Sequence, residues 1–153
     1  MSKILEIFNT MEYGPAPEAP DAVKAWLDEH GRKFGLFINN EWGTPKGAKF
    51  YPSYNPSNGE LLAETTQAEK KDVDAAVAAA RGAFKTWSKT PGVTRARYLY
   101  AIARNIQKHS RLLAVLESMD NGKPIRESRD IDVPLLARHF YYYAGWAQLM
   151  ETE

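Results

Sequence analysis

The stretch Tyr54–Phe84, YNPSNGELLAETTQAEKKDVDAAVAAARGAF, holds in one run a turn, a strand and a helix. Asn55-Pro56-Ser57-Asn58-Gly59 reads as the turn, because the proline restricts φ and the glycine admits a positive one. Glu60 to Thr65 follows as a short strand. The period then changes. Thr66 and Glu69 stand at capping-box spacing, and Val73, Ala76, Val77, Ala80, Phe84 and Trp87 recur at helical intervals.

Toward the N-terminus, Leu36 to Trp42 reads as a strand, Gly43 to Gly47 as a turn and Ala48 to Tyr54 as a second strand. The three strands together make a short antiparallel meander. Asp21 is placed to cap a short helix reaching Lys33, with Val23, Trp26 and Leu27 on one face and Gly31 near its end. Residues 1–20 read as an N-terminal arm and linker, proline-rich from Gly14 to Pro20.

Toward the C-terminus, Pro91-Gly92 breaks the first long helix. A second begins near Thr94, with Leu99, Ile102, Ala103 and Ile106 on one face. A shorter helix after His109-Ser110 groups Leu112, Leu116 and Met119, and Gly122 with Pro124 stops it. Beyond Asp132, read as a cap, Leu136, Phe140, Tyr143 and Ala147 form the apolar stripe of a last helix, with Pro134 in its first turn. The order is arm, helix, strand meander, several helices. Three short strands offer these helices little to pack on, so the chain reads as part of a larger layered domain.

Composition narrows the function. The 153 residues suit one domain, with 44% apolar and 25% charged residues. A formal charge of +1 supplies no overall drive toward nucleic acid or an anionic membrane, and neither is expected as a partner. There is no cysteine, hence no disulfide, thiolate metal site or thiol nucleophile within the chain. The opening residues lack the apolar run of a secretory signal, and the expectation is a soluble cytoplasmic protein.

Catalytic signatures are absent from the residues. His30, His109 and His139 show no zinc-ligand spacing. The serines lack a G-x-S-x-G elbow, and the glycines form neither a P-loop nor G-x-G-x-x-G. Arg95, Arg97, Arg104, Lys108 and Arg111 read as a solvated helix face. Glu127, Asp130 and Asp132 offer metal-type oxygens but better suit a helix start. The aromatic group Phe140 to Tyr143 with Trp146 reads as packing. Chemistry alone stops at a soluble α+β segment.

The ordered motifs go further. FINNEW at Phe37–Trp42, YNPSNGE at Tyr54–Glu60, DVDAAVAAARGAF at Asp72–Phe84, LESMDNGKP at Leu116–Pro124 and YYAGWA at Tyr142–Ala147 lie in register over Phe37 to Gln148. In order and spacing they resemble the N-terminal part of the aldehyde dehydrogenase superfamily. The arm IFNTMEYGPAPE and the stretch SRDIDVPLLARHFYYYAGWAQLM look most similar to its family 16.

The resemblance implies an α/β parent of aldehyde dehydrogenase type, in which residues 21–153 form an incomplete N-terminal part of the nucleotide-binding domain. It implies NAD or NADP in the full-length parent and none held by this segment alone. It also implies an aldehyde substrate, a homo-oligomer, and a catalytic cysteine, glutamate base and glycine-rich cofactor turn in the remainder of the chain. No catalytic or cofactor-binding residue maps here. Two weaker sites do carry over: a monovalent-cation site at the Tyr54 carbonyl and Asp120, whose plainer reading is a local helix-end role for Asp120, and an aldehyde tunnel lined by Ile131 and Leu135, whose plainer reading is core.

The leading expectation is therefore the N-terminal segment of an NAD(P)-dependent aldehyde dehydrogenase, not catalytic by itself. The rival is a stand-alone, non-catalytic assembly module that docks on a larger partner. The uncapped ending Gln148 to Glu153 favours the segment.

Overall fold

The computed structural model describes residues 3–10 and 16–150. Part of the proline-rich linker, Gly14 and Pro15, and the end at Glu151 to Glu153 lie outside the described residues. Helix α1 (Lys3–Thr10) is followed by α2 (Asp21–Glu29), then β1 (Lys33–Phe34), β2 (Leu36–Ile38), β3 (Glu41–Gly43), β4 (Phe50–Tyr54) and β5 (Leu61–Thr66). The helices α3 (Lys70–Trp87), α4 (Gly92–Lys108), α5 (Ser110–Asn121), α6 (Ile125–Glu127) and α7 (Val133–Leu149) complete the order, with a π-turn over Ser128–Asp132 joining the last two. This is the expected meander followed by helices.

The strands depart from the expectation in one instructive way. Leu36 to Trp42 is not one strand but a hairpin, β2 against β3, with Phe37 opposite Trp42. Its turn residues Asn39 and Asn40 hold φ of 54° and 66°. Two consecutive positive φ values are those of a type I′ turn, which asparagine tolerates. The other sheet has the order β1-β5-β4: β4 and β5 are antiparallel across the Asn55–Gly59 turn, and β1 adds to β5 in parallel.

Two capping expectations shift by a few residues. Asp21 is the first residue of α2 rather than its cap, Pro20 precedes it, and the helix ends at Glu29, where Gly31 (φ 65°) and Arg32 (φ 50°) turn the chain into β1. The capping box of α3 is made by Glu69 and Asp72: the Glu69 N–H donates to Asp72 Oδ2 at 2.9 Å. Thr66 is instead buried, its hydroxyl donating to the Phe34 carbonyl at 2.9 Å and fastening β5 to β1. Paired as a strand, Thr66 cannot also start a helix.

The core lies between α2, β5 and α5. Val23, Leu27, Leu62, Ala63, Val115 and Met119 are buried together, with Trp26, Phe34, Leu112 and Leu116 against them. A second contact zone joins α4 and α7 along alanines: Ala96, Ala103, Ala137, Ala144 and Ala147 are all buried. Small side chains let two helix backbones approach closely, so α7 buries Val133, Ala137, Ala144 and Ala147. That overturns half of the expected stripe on α7, in which Ala147 is buried and Phe140 half-buried as read. Leu136 and Tyr143 are 44% and 59% exposed, because they flank the alanine seam rather than form it. On α3 no residue is buried, and Val73, Val77, Phe84 and Trp87 face outward.

Candidate cation site and the helix beside it

Asp120 is positioned by how α5 ends. Gly122 takes a left-handed φ of 78°, and its N–H donates to the Ser118 carbonyl at 3.0 Å, closing the helix. The same glycine touches the Asn55–Gly59 turn, where an added Cβ stands 2.9 Å from Pro56 Cγ. The turn is rigid in its own right. The Asn55 side chain accepts from the Ser57 N–H at 3.0 Å and the Ser57 hydroxyl at 2.7 Å, and the Gly59 N–H donates to the Asn55 carbonyl at 2.8 Å. Lys24 on α2 pairs with Glu60 at 2.9 Å, which holds the Glu60 carboxyl below its ordinary pKa.

These contacts set the end of β4 against the end of α5. The Ser53 hydroxyl donates to Asp120 Oδ1 at 2.5 Å. Tyr54 follows as the last residue of β4, opposite Leu61, with a bulge between Ser53 and Tyr54. Asp120 is thus partnered across 67 positions of sequence and not by its own helix end. Ser53 and Asp120 lie on the rim of an apolar cleft of about 510 Å³, whose walls include Leu62, Leu116, Val133 and Leu136. Sequence reading missed Ser53. Its signal was its place immediately before Tyr54, at the mouth of the turn.

Ile131 and Leu135 do not belong to the core. They are 56% and 44% exposed, Ile131 in the π-turn and Leu135 in the first turns of α7. Leu135 borders a shallow depression shared with Glu117, Lys123, Asp132 and His139. Lys123 pairs with Asp132, whose hydrogen bond raises the lysine pKa. Arg129 in the π-turn pairs with Asp130 at 2.7 Å and with Glu18 of the arm at 3.2 Å. Asp130 and Asp132 are therefore each engaged in an ion pair. Among the described residues no group of three or more metal-binding side chains occurs, and no helix is long and apolar enough to cross a membrane.

Comparison with known proteins places this arrangement. The model of the aldehyde dehydrogenase family matches residues 42–153. A solved aldehyde dehydrogenase from Bacillus cereus superposes with a TM-score of 0.75 at 36% identity, covering 89% of this chain and 27% of that one. The NAD+ complex of aldehyde dehydrogenase from the same organism matches at 37% identity and the same TM-score, covering 89% and 26%. HpcC from Thermus thermophilus gives a TM-score of 0.79 at 31% identity, covering 90% and 27%. The chain belongs to the aldehyde dehydrogenase family. It spans about a quarter of the length of these solved relatives.

Proposed function

We propose that these 153 residues are the N-terminal segment of an NAD(P)-dependent aldehyde dehydrogenase that oxidises aldehydes to carboxylic acids, of the family-16 type. The observation that carries the reading is the match of nearly the whole chain to about a quarter of such enzymes, one of them described as an NAD+ complex. Residues 21–153 are then part of the nucleotide-binding domain, and residues 1–20 an arm tied to it by the Glu18–Arg129 pair. No nucleophilic cysteine and no glycine-rich cofactor turn is present here, so no catalytic step and no cofactor contact is assigned to this chain. The remainder of the polypeptide supplies them, in a cytoplasmic homo-oligomer.

Within that reading Tyr54 and Asp120 hold a monovalent cation. The Asp120 carboxylate, the Ser53 hydroxyl beside it and the Tyr54 carbonyl are all oxygen donors, the kind a hard cation prefers. Ile131 and Leu135, apolar and outward-facing, line the approach of the aldehyde.

A chimera tests the proposal: this chain replaces the matching segment of the Bacillus cereus enzyme, and NAD-dependent aldehyde oxidation is assayed. Retained turnover is expected from the chimera, and none from the chain alone. A soluble, folded chimera that binds NAD without turnover sinks the assignment.

A further inference from the structure

Charge along this chain is segregated. Between Ala75 and Leu116 there are eight lysines and arginines and no aspartate or glutamate, while the rest of the chain holds the other 12 basic residues and all 19 acidic ones. That stretch forms α3 beyond its first turn, α4 and the first half of α5. Among the described residues every ion pair lies outside it, and none of its eight cations has a carboxylate partner.

On α4 three of the four cations are aligned, half-buried Arg95 lying on another face. Arg97, Arg104 and Lys108, spaced i, i+7 and i+11, occupy one exposed face, and exposed Arg111 follows at the start of α5. Exposed Val93 and Ala101 lie on the same stripe. The buried Ala96 and Ala103 turn a different face of the helix to α7, so the stripe points away from the helix pair. Among the described residues no carboxylate pairs with this stripe. Like charges at i and i+4, as in Arg104 with Lys108 and Arg81 with Lys85, disfavour a helix. A face serving only solubility intersperses both signs. A single-sign stripe is relieved by a partner of the opposite sign.

We propose that the outward face of α4, from Val93 through Arg97, Ala101 and Arg104 to Lys108, docks an acidic helical segment of another protein. Carboxylates on successive turns of that segment meet the cations, and Val93 and Ala101 supply small apolar contacts between them. The residues interleaved on the stripe are too small to stack on bases, and the chain carries almost no net charge to draw in a long polyanion. The same residues present too little apolar surface to seat the helix in a membrane interface. This docking is independent of the enzymatic reading.

The test titrates the full chain into a fluorescein-labelled, glutamate-rich helical peptide, followed by anisotropy. Saturable binding that weakens as salt rises is expected, with at least a tenfold loss in R104E/K108E. The equally charged control K70E/K71E, on exposed cations at the start of α3, is expected to keep the affinity. Should R104E/K108E not fold by circular dichroism, the neutral R104Q/K108Q takes its place, with a smaller loss in the same direction. Absence of saturable binding, equal loss in the control, or tighter binding to duplex DNA or phosphatidylserine vesicles overturns the proposal.

Discussion

Gly122 and Pro56 meet at a position that admits no side chain: a Cβ on the glycine stands 2.9 Å from Pro56 Cγ, and the glycine backbone is left-handed at φ 78°. The end of α5 and the turn after β4 are fitted to each other there, and Ser53 and Asp120 come together as a result. Gly122→Ala meets both obstacles. Left-handed strain and the displaced proline together cost about 1–3 kcal/mol. Thermal melts are expected to show a fall of several degrees. An unchanged melting temperature shows that the contact is slack.

Asp120→Ala tests the cation proposal in the full-length protein. Sodium or potassium is expected to raise the melting temperature of the native protein and to do so much less in the variant, since a ligand that binds only the folded state stabilises it. Identical salt responses remove the site and leave Asp120 as the acceptor of Ser53.

The alanine seam between α4 and α7 has no room for bulk. Ala103 is fully buried, and Ala101 on the same helix is exposed. Ala103→Leu is expected to destabilise by about 1–3 kcal/mol through overpacking, against less than about 0.5 kcal/mol for Ala101→Leu. Urea midpoints of the two variants measure the difference. Equal midpoints refute close packing of the seam.

The Lys24–Glu60 pair ties α2 to the turn and sets a pH dependence. The Glu60 carboxyl is held below its ordinary value of 4.5, chiefly by the Lys24 hydrogen bond. A group whose pKa is depressed on folding adds stability above the unfolded value, and that stability is lost as pH falls through the folded one. Glu60→Gln is therefore expected to lower stability at neutral pH, with the gap to the native protein closing as pH drops below about 4.5. A gap independent of pH assigns the effect to packing.

The outward stripe Val73, Val77, Phe84 and Trp87 bears on how the chain exists by itself. Phe84 is 66% exposed, and burial of one such side chain is worth about 1.5–3 kcal/mol. The isolated chain is expected to self-associate in sedimentation experiments, and Val77→Ser with Phe84→Ser to reduce that association. A monomer that melts cooperatively above about 65 °C points instead to a stand-alone module.

Much of the fold was legible because its signals act over a few residues. Proline and glycine set the turns at Asn55–Gly59 and Gly122, apolar spacing revealed the long helices, and the ordered motifs from Phe37 to Gln148 pointed to the aldehyde dehydrogenase family. The misreadings share a cause. Asn39-Asn40 looked like strand interior because asparagine reveals its positive φ only when two strands pair across it. Thr66 had capping-box spacing, yet the Phe34 carbonyl took its hydroxyl first.

What the sequence by itself determined is the order of a strand-rich stretch and the long helices after it, the family they belong to, and the lack of a thiol. What tertiary structure alone decided is which face each helix buries and which distant residues meet. Leucine and tyrosine on α7 outrank alanine in hydrophobicity, but only alanine lets α4 approach, so the seam runs through Ala137 and Ala144. Ser53 and Asp120 are joined only because Gly122 and Pro56 fit together in space. Periodicity records the tendency of a residue to be buried. Against what, and at what distance, depends on the shape of a neighbour that lies far away in the chain.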